Sequence, residues 1–313
     1  MVLDDKYLEL VKEALALQCN GEYDKALDKY KEAFEITATV HDISSYALCE
    51  YLAGDKEEGK ELIKKMIKKY PKFPFLYMDY TTMLAKEDNI EEAIKMSKKG
   101  LSVVSSKDPN KESYLSLINL DLAKMNYGKK EYDAAIKHAI ESLKHQKDFD
   151  AYYILICIYE DTKDYPNQLK YALELKNSFP EEKNVYFLLG NAYRNNNERS
   201  KALECFKKEV ERENPNPYAF FNLSLEYLNI NELENAKMAS LKALELEKDD
   251  PDVWFNLGCV YSQMEDWENT KSVLKAYLYM VDGNDEAITN DPDLEGFRKT
   301  NEYLELMAMN KKK

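Results

Sequence analysis

The chain has little of what turn-rich, disulfide-bonded or membrane-spanning proteins need. Nine glycines and nine prolines in 313 residues are too few for a fold built from loops or strand-and-turn units. The five cysteines, Cys19, Cys49, Cys157, Cys205 and Cys259, are odd in number, far apart and never in a CxxC pair. That pattern argues against a disulfide framework or a zinc knuckle and reads as reduced thiols. Of the three histidines, only His138 and His145 are close, at a spacing no common metal motif uses, so no metal ligands and no cofactor are expected. No apolar run approaches the roughly 20 residues of a membrane span. The opening MVLDDKYLEL has acids where an export signal has a basic region and an apolar run, so the reading is cytoplasmic, without membrane contact. Basic residues are also short in the second half: residues 149–313 hold 20 Lys and Arg against 31 Asp and Glu, whereas residues 1–148 hold 24 against 27. The net charge of −14 argues against nucleic acid and anionic lipid as partners, because such a surface repels phosphate. Lys311–Lys313 reads as a short basic tail.

What is present is charge and helix-forming residues. Charged side chains make up 33% of the chain, with abundant Lys, Glu, Leu and Ala, which suits exposed helices and an all-α fold. Residues 183–280 then repeat themselves. Tyr186, Phe220 and Trp254 are 34 residues apart, and so are Leu189, Leu223 and Leu257. The same interval separates Gly190, Ser224 and Gly258, then Tyr193, Tyr227 and Tyr261, then Ala202, Ala236 and Thr270.

A 34-residue period carrying a bulky residue, Leu, a small residue, Tyr and a later Ala resembles the tetratricopeptide repeat, a helix-turn-helix unit. The resemblance implies an all-α solenoid, a right-handed superhelix in which each unit buries its apolar faces against its neighbours. Extending the columns upstream places repeat starts at 7, 40, 74, 116, 149, 183, 217 and 251, about eight units. Residues 1–107 are expected to hold three degenerate repeats and residues 108–284 five, best formed at 183–284. Residues 285–313 are expected to cap the end, with one short helix from Asp291-Pro292-Asp293 and a second from Thr300 containing Tyr303, Leu304, Leu306 and Met307. The step from 74 to 116 is about eight residues too long. It predicts a longer first helix in the fourth repeat, with Asp108 as N-cap and Pro109 at the first helical position.

Catalytic signatures fail on inspection, and the chain is read as a non-enzyme. Gly54–Glu61 has the GxxxxGK spacing of a phosphate loop. It carries Glu61 where Ser or Thr would hold magnesium, and no strand precedes it. The acid pairs Glu57-Glu58, Glu91-Glu92 and Asp249-Asp250 fall at turns or helix starts, where they favour the helix dipole. The sequon Asn222-Leu223-Ser224 lies inside a helix.

The resemblance implies a concave groove faced by positions two, five, nine and twelve of each repeat, counting Trp254 as position four. Position five is aromatic throughout the later repeats: Tyr153, Phe187, Phe221 and Phe255. With Asn191, Tyr218 and Leu225 these form the candidate peptide-binding groove. Ring packing between successive first helices is the competing role for the position-five residues. The family's clamp for a C-terminal carboxylate uses Lys at position five and Asn at position nine. Here only Asn191 fits, beside Phe187, so an apolar or amphipathic segment with basic residues is the better-matched ligand. The expected function is a protein-interaction scaffold, adaptor or co-chaperone-like protein. The alternative is a peptide-sensing regulatory subunit that controls a partner enzyme or transcription factor.

Overall fold

The computed structural model describes residues 4–310, and the Lys311–Lys313 tail lies outside them. Among the described residues all regular structure is helical. Eight helical hairpins follow one another: α1 (Asp5–Cys19) with α2 (Tyr23–Phe34), α3 (Val40–Ala53) with α4 (Lys56–Lys69), α5 (Pro74–Lys86) with α6 (Ile90–Ser102), and α7 (Lys111–Gly128) with α8 (Tyr132–His145). Then come α9 (Phe149–Asp161) with α10 (Tyr165–Ser178), α11 (Val185–Asn195) with α12 (Arg199–Val210), α13 (Pro217–Asn229) with α14 (Leu233–Leu246), and α15 (Pro251–Gln263) with α16 (Trp267–Met280). A closing segment holds α17 (Glu286–Asn290), 3-10 turns at Pro292–Leu294 and Phe297–Lys299, and α18 (Asn301–Asn310). None of the described helices is long and apolar enough to cross a membrane. Two compact units divide the chain, the first ending at Ile158 and the second starting at Tyr159.

Local chemistry sets the helix starts. Asp250 and Asn216 each precede a proline at the first helical position, and each side chain accepts the amide of the residue two further on, at 2.9 and 3.0 Å. Thr39 and Asp42 form a capping box at α3: the threonine hydroxyl accepts the Asp42 amide, and the carboxylate accepts the Thr39 amide. The fourth repeat does have a long first helix of 18 residues, but it begins at Lys111, not at Pro109. Asp108 accepts the amide of Asn110 at 2.8 Å, and the Lys111 amide donates to the Asp108 carbonyl. The side chain that looked like a helix cap closes a tight turn, since the same local bond serves either structure.

In most hairpins the residue just before the second helix's N-cap is left-handed. These are Gly21, Asp88, Lys130, Lys163, Asn197, Asn231 and Glu265, with φ between 56° and 77°. The turn from α3 to α4 is shorter, running through Gly54 and Asp55, and uses no such residue.

Two columns of small residues let the helices of a hairpin approach. On the second helices, Ala26, Ala93, Ala135, Ala202, Ala236 and Thr270 are wholly buried. On the first helices, a β-carbon added at Gly190 would stand 2.6 Å from Phe206, and one at Gly258 2.6 Å from Leu274. A β-carbon added at Gly59 would meet backbone, 2.6 Å from the Ala47 carbonyl oxygen. Gly54 and Gly59 are therefore a helix C-cap and a packing contact, and Lys60 pairs with Glu87 and Glu57 instead of offering a phosphate seat.

The closing segment covers the last hairpin. Ile288, Leu294, Phe297 and Leu306 bury themselves against Cys259, Leu274 and Leu278, and the Phe297 ring stacks on Trp267 with centroids 6.5 Å apart. Burial of a ring like that of Phe297 is worth about 1.5–3 kcal/mol. The Thr300 hydroxyl accepts the Tyr303 amide and starts α18 as expected, while α17 is an extra turn of helix that no sequence signal marked.

Candidate functional site

In the second unit, side chains from α11 and α13 and from the start of α15 enclose a cleft of about 260 Å³. Four residues of the expected groove line it: Phe187, Asn191, Tyr218 and Phe221. Arg194, Asn222, Asp250 and Asp252 complete the wall. Of the other expected residues, Phe255 packs on Tyr277 with ring centroids 5.1 Å apart, and Leu225 does not line the cleft. Tyr153 belongs to the first unit, where its ring stacks parallel to that of Phe149. Phe187, Phe221 and Phe255 are all half-buried. Phe187 also leans on the core ring of Phe206 at 6.4 Å, so its packing role and its place in the cleft coexist.

A polar network fixes the floor. The Arg194 guanidinium donates to Asn222 Oδ1 at 2.7 Å and to Asn191 Oδ1 at 3.2 Å, and Asn222 Nδ2 donates to Asn191 Oδ1 at 2.9 Å. Asn191 thus spends its oxygen on two donors. Its amide nitrogen, with two protons to give, makes no hydrogen bond among the described residues and faces a lined cleft. Arg194 itself lies over the Phe206 ring, 5.8 Å from its centroid, and burial lowers its pKa from the ordinary arginine value. On the opposite wall Asp250 caps α15 by accepting the Asp252 amide, and Asp252 sits in the first turn. The Asp250 carboxylate beside the Tyr218 hydroxyl holds that phenol above its ordinary value. Arg194 occupies position twelve of its repeat and Asp252 position two, both in columns expected to face the groove. Asn222 and Asp250 come from neighbouring columns, and the sequence marked them only as part of a sequon and of an acid pair at a helix start, not as groove residues.

Two further polar clusters lie outside this cleft. In the first unit, buried Asp42 accepts the Thr39 hydroxyl at 2.6 Å and the Tyr7 hydroxyl. Burial pushes its carboxyl up, but hydrogen bonds from His41, Thr39 and Tyr7 outweigh that and leave it below the usual range. Nearby Asp79 accepts the Ser44 hydroxyl, and burial pushes its pKa up to about 6. In the second unit, ligand atoms of Cys259, Asp291 and Asp293 lie within 4.8 Å of one another, a grouping missed in sequence because 32 residues separate Cys259 from Asp291. Each member has a structural task. Cys259 is core, Asp291 accepts the Asp293 amide at 2.8 Å, and the Asp293 carbonyl accepts Ser262 at 2.8 Å. His138 and His145 pair instead with Asn119 and Glu112.

Family models of the tetratricopeptide repeat match residues 184–215, 217–250 and 239–271. No curated protein sequence matches the chain. Among solved structures, the C-terminal part of a TPR repeat-containing protein from Cytophaga hutchinsonii is similar over 81% of this chain and 98% of its own, with TM-score 0.61 and 17% identity. A chain of the APC/C hetero-tetramer Cut9–Hcn1 structure is similar over 91% of this chain and 55% of its own, with TM-score 0.53 and 16% identity. YrrB, described as a TPR protein with an unusual peptide-binding site, is similar over 62% of this chain and 96% of its own, with TM-score 0.52 and 18% identity. At these identities the likeness is one of fold.

Proposed function

Since the chain is a tetratricopeptide-repeat protein, an all-α solenoid of about eight repeats, we propose that it is a non-catalytic scaffold whose second unit grips a peptide segment of a partner protein. The seat is the cleft between Phe187 and Phe221. An apolar side chain of the ligand packs between those rings, a basic one meets Asp250 and Asp252, and a ligand carbonyl accepts the Asn191 amide. The observation that carries this reading is the Arg194–Asn191–Asn222 network. It holds a polar floor in one orientation before any ligand arrives, so little ordering is left to oppose binding. YrrB offers a precedent for peptide binding on a similar fold.

The test uses a displayed library of short peptides, followed by titration of the selected sequences. Enrichment of apolar-plus-basic sequences is expected. Phe221→Ala removes a central anchor worth about 2 kcal/mol, or roughly 30-fold in Kd. Asp250→Asn with Asp252→Asn keeps the helix cap and should weaken binding while flattening its salt dependence. Selected peptides that bind all these variants as they bind the parent would place the ligand elsewhere.

A further inference from the structure

A second, larger cleft opens at the other side of the second unit's final hairpin, where α16 and the loop before α15 meet α18. Its volume is about 620 Å³, inside the range of small-molecule sites. Its walls are largely apolar: Trp254, Leu278, Leu306 and Met309, with the Tyr279 ring beside them. Leu278 and Leu306 are buried at its base, whereas Tyr279 is 73% exposed and Met309 49%. Large apolar side chains left this open beside a concave surface call for an occupant.

The charges on the walls select its sign. Lys248 and Lys275 both line the cleft, and neither lies within ion-pair distance of a carboxylate among the described residues. Asp249 is the one acid in the wall. On the same last helices Lys242 pairs with Glu245 and Lys271 with Glu268 and Glu305, whereas the charges of Lys248 and Lys275 stand beside the apolar wall. The Trp254 indole donates to the Lys248 carbonyl at 2.8 Å, which ties that lysine's backbone to the apolar wall.

We propose that this cleft binds a small amphipathic carboxylate, its apolar body against Trp254, Leu278, Leu306 and Met309 and its acid group at Lys248 and Lys275. The two lysines act as point charges on flexible stems, so they accept an acid group without demanding one geometry. The apolar walls supply most of the affinity and the lysines supply the choice of charge. This site shares no lining residue with the Phe187–Phe221 cleft and stands or falls independently of it.

The experiment titrates the full chain by calorimetry with dodecanoate and with dodecyltrimethylammonium, both kept below their micelle concentrations. Tryptophan fluorescence follows the same titrations, because Trp254 lines the cleft and Trp267 does not. One dodecanoate per chain is expected, bound at least tenfold more tightly than the cation. Lys248→Gln with Lys275→Gln, both exposed positions, should cut dodecanoate affinity at least tenfold and leave the melting temperature unchanged. Met309→Asp should weaken it as well, by opposing charge and lost apolar contact. Equal affinity for the two head groups, no saturable binding, or a double variant that binds as the parent does would each overturn the assignment. So would sedimentation showing a parent dimer that Tyr279→Asp dissociates, because a second copy would then cover the face.

Discussion

Gly190→Ala tests whether the small-residue column permits the close approach of α11 and α12. The added β-carbon would meet three atoms of the Phe206 ring at 2.6, 2.9 and 2.9 Å, nearer than real contacts allow. Phe206 is wholly buried, with Phe187 on one side and the Arg194 guanidinium over its face, so the ring cannot recoil without moving the cleft floor. Overpacking of this kind costs about 1–3 kcal/mol. The better helix propensity of alanine returns about 0.5–1 kcal/mol. A net loss of about 1–2 kcal/mol is expected, which for a unit of this size lowers the midpoint by roughly 2–8 °C. Both tryptophans lie in the second unit, so thermal unfolding followed by their fluorescence reads that unit directly. Phe206→Leu in the same chain should recover part of the loss, a coupling that two independent defects would not show. Gly128→Ala, where an added β-carbon meets nothing within 4 Å, should leave the first unit as stable as before or slightly more so. If Gly190→Ala unfolds at the parent midpoint, or Phe206→Leu gives no relief, the contact does not limit the packing.

The first unit should grow less stable as pH rises from about 4 to 7. Asp79 and Asp121 both have pKa values pushed up to about 6 by burial, so over that window the folded chain binds more protons than the unfolded one. Asp79→Asn keeps an acceptor for Ser44, and thermal melts of that variant should show a shallower decline; an unchanged slope would remove Asp79 from the explanation. Thiol titration of the native chain should label Cys19 quickly, since it is exposed. Cys49 and Cys205, buried with thiols pushed up to about 12 and about 11, should react only after urea. Fast native labelling of Cys49 or Cys205 would contradict their placement in the core.

The sequence was readable where one residue per repeat carries one role. Leu189, Leu223 and Leu257, or Ala202, Ala236 and Thr270, return at a fixed interval because every hairpin solves the same packing problem. Readability fell where a role is met once. Asp108 shows how one side-chain bond fits a turn as well as a helix start, and only the rest of the chain decides between them. The cleft shows the same limit from another side. Its rings were expected from their column, but the Arg194–Asn222 bond joins residues 28 apart that no local pattern connects. The large apolar cleft depends on α18 folding back along α16, a single event with no repeated counterpart.

The left-handed turn residues bear on how such a chain can change over generations. Of the seven, only Gly21 is glycine; Lys130, Lys163 and Glu265 are exposed and hold a conformation that is strained for a side chain with a β-carbon. Each such seat costs about 1–2 kcal/mol for an ordinary residue, and glycine would give back part of that after its own loss of freedom on folding. The array therefore carries latent robustness in turn positions that do not line its cleft. A lineage can tighten or loosen one hairpin at a time, and absorb a costly change in a binding residue, by exchanging a single surface side chain at a turn.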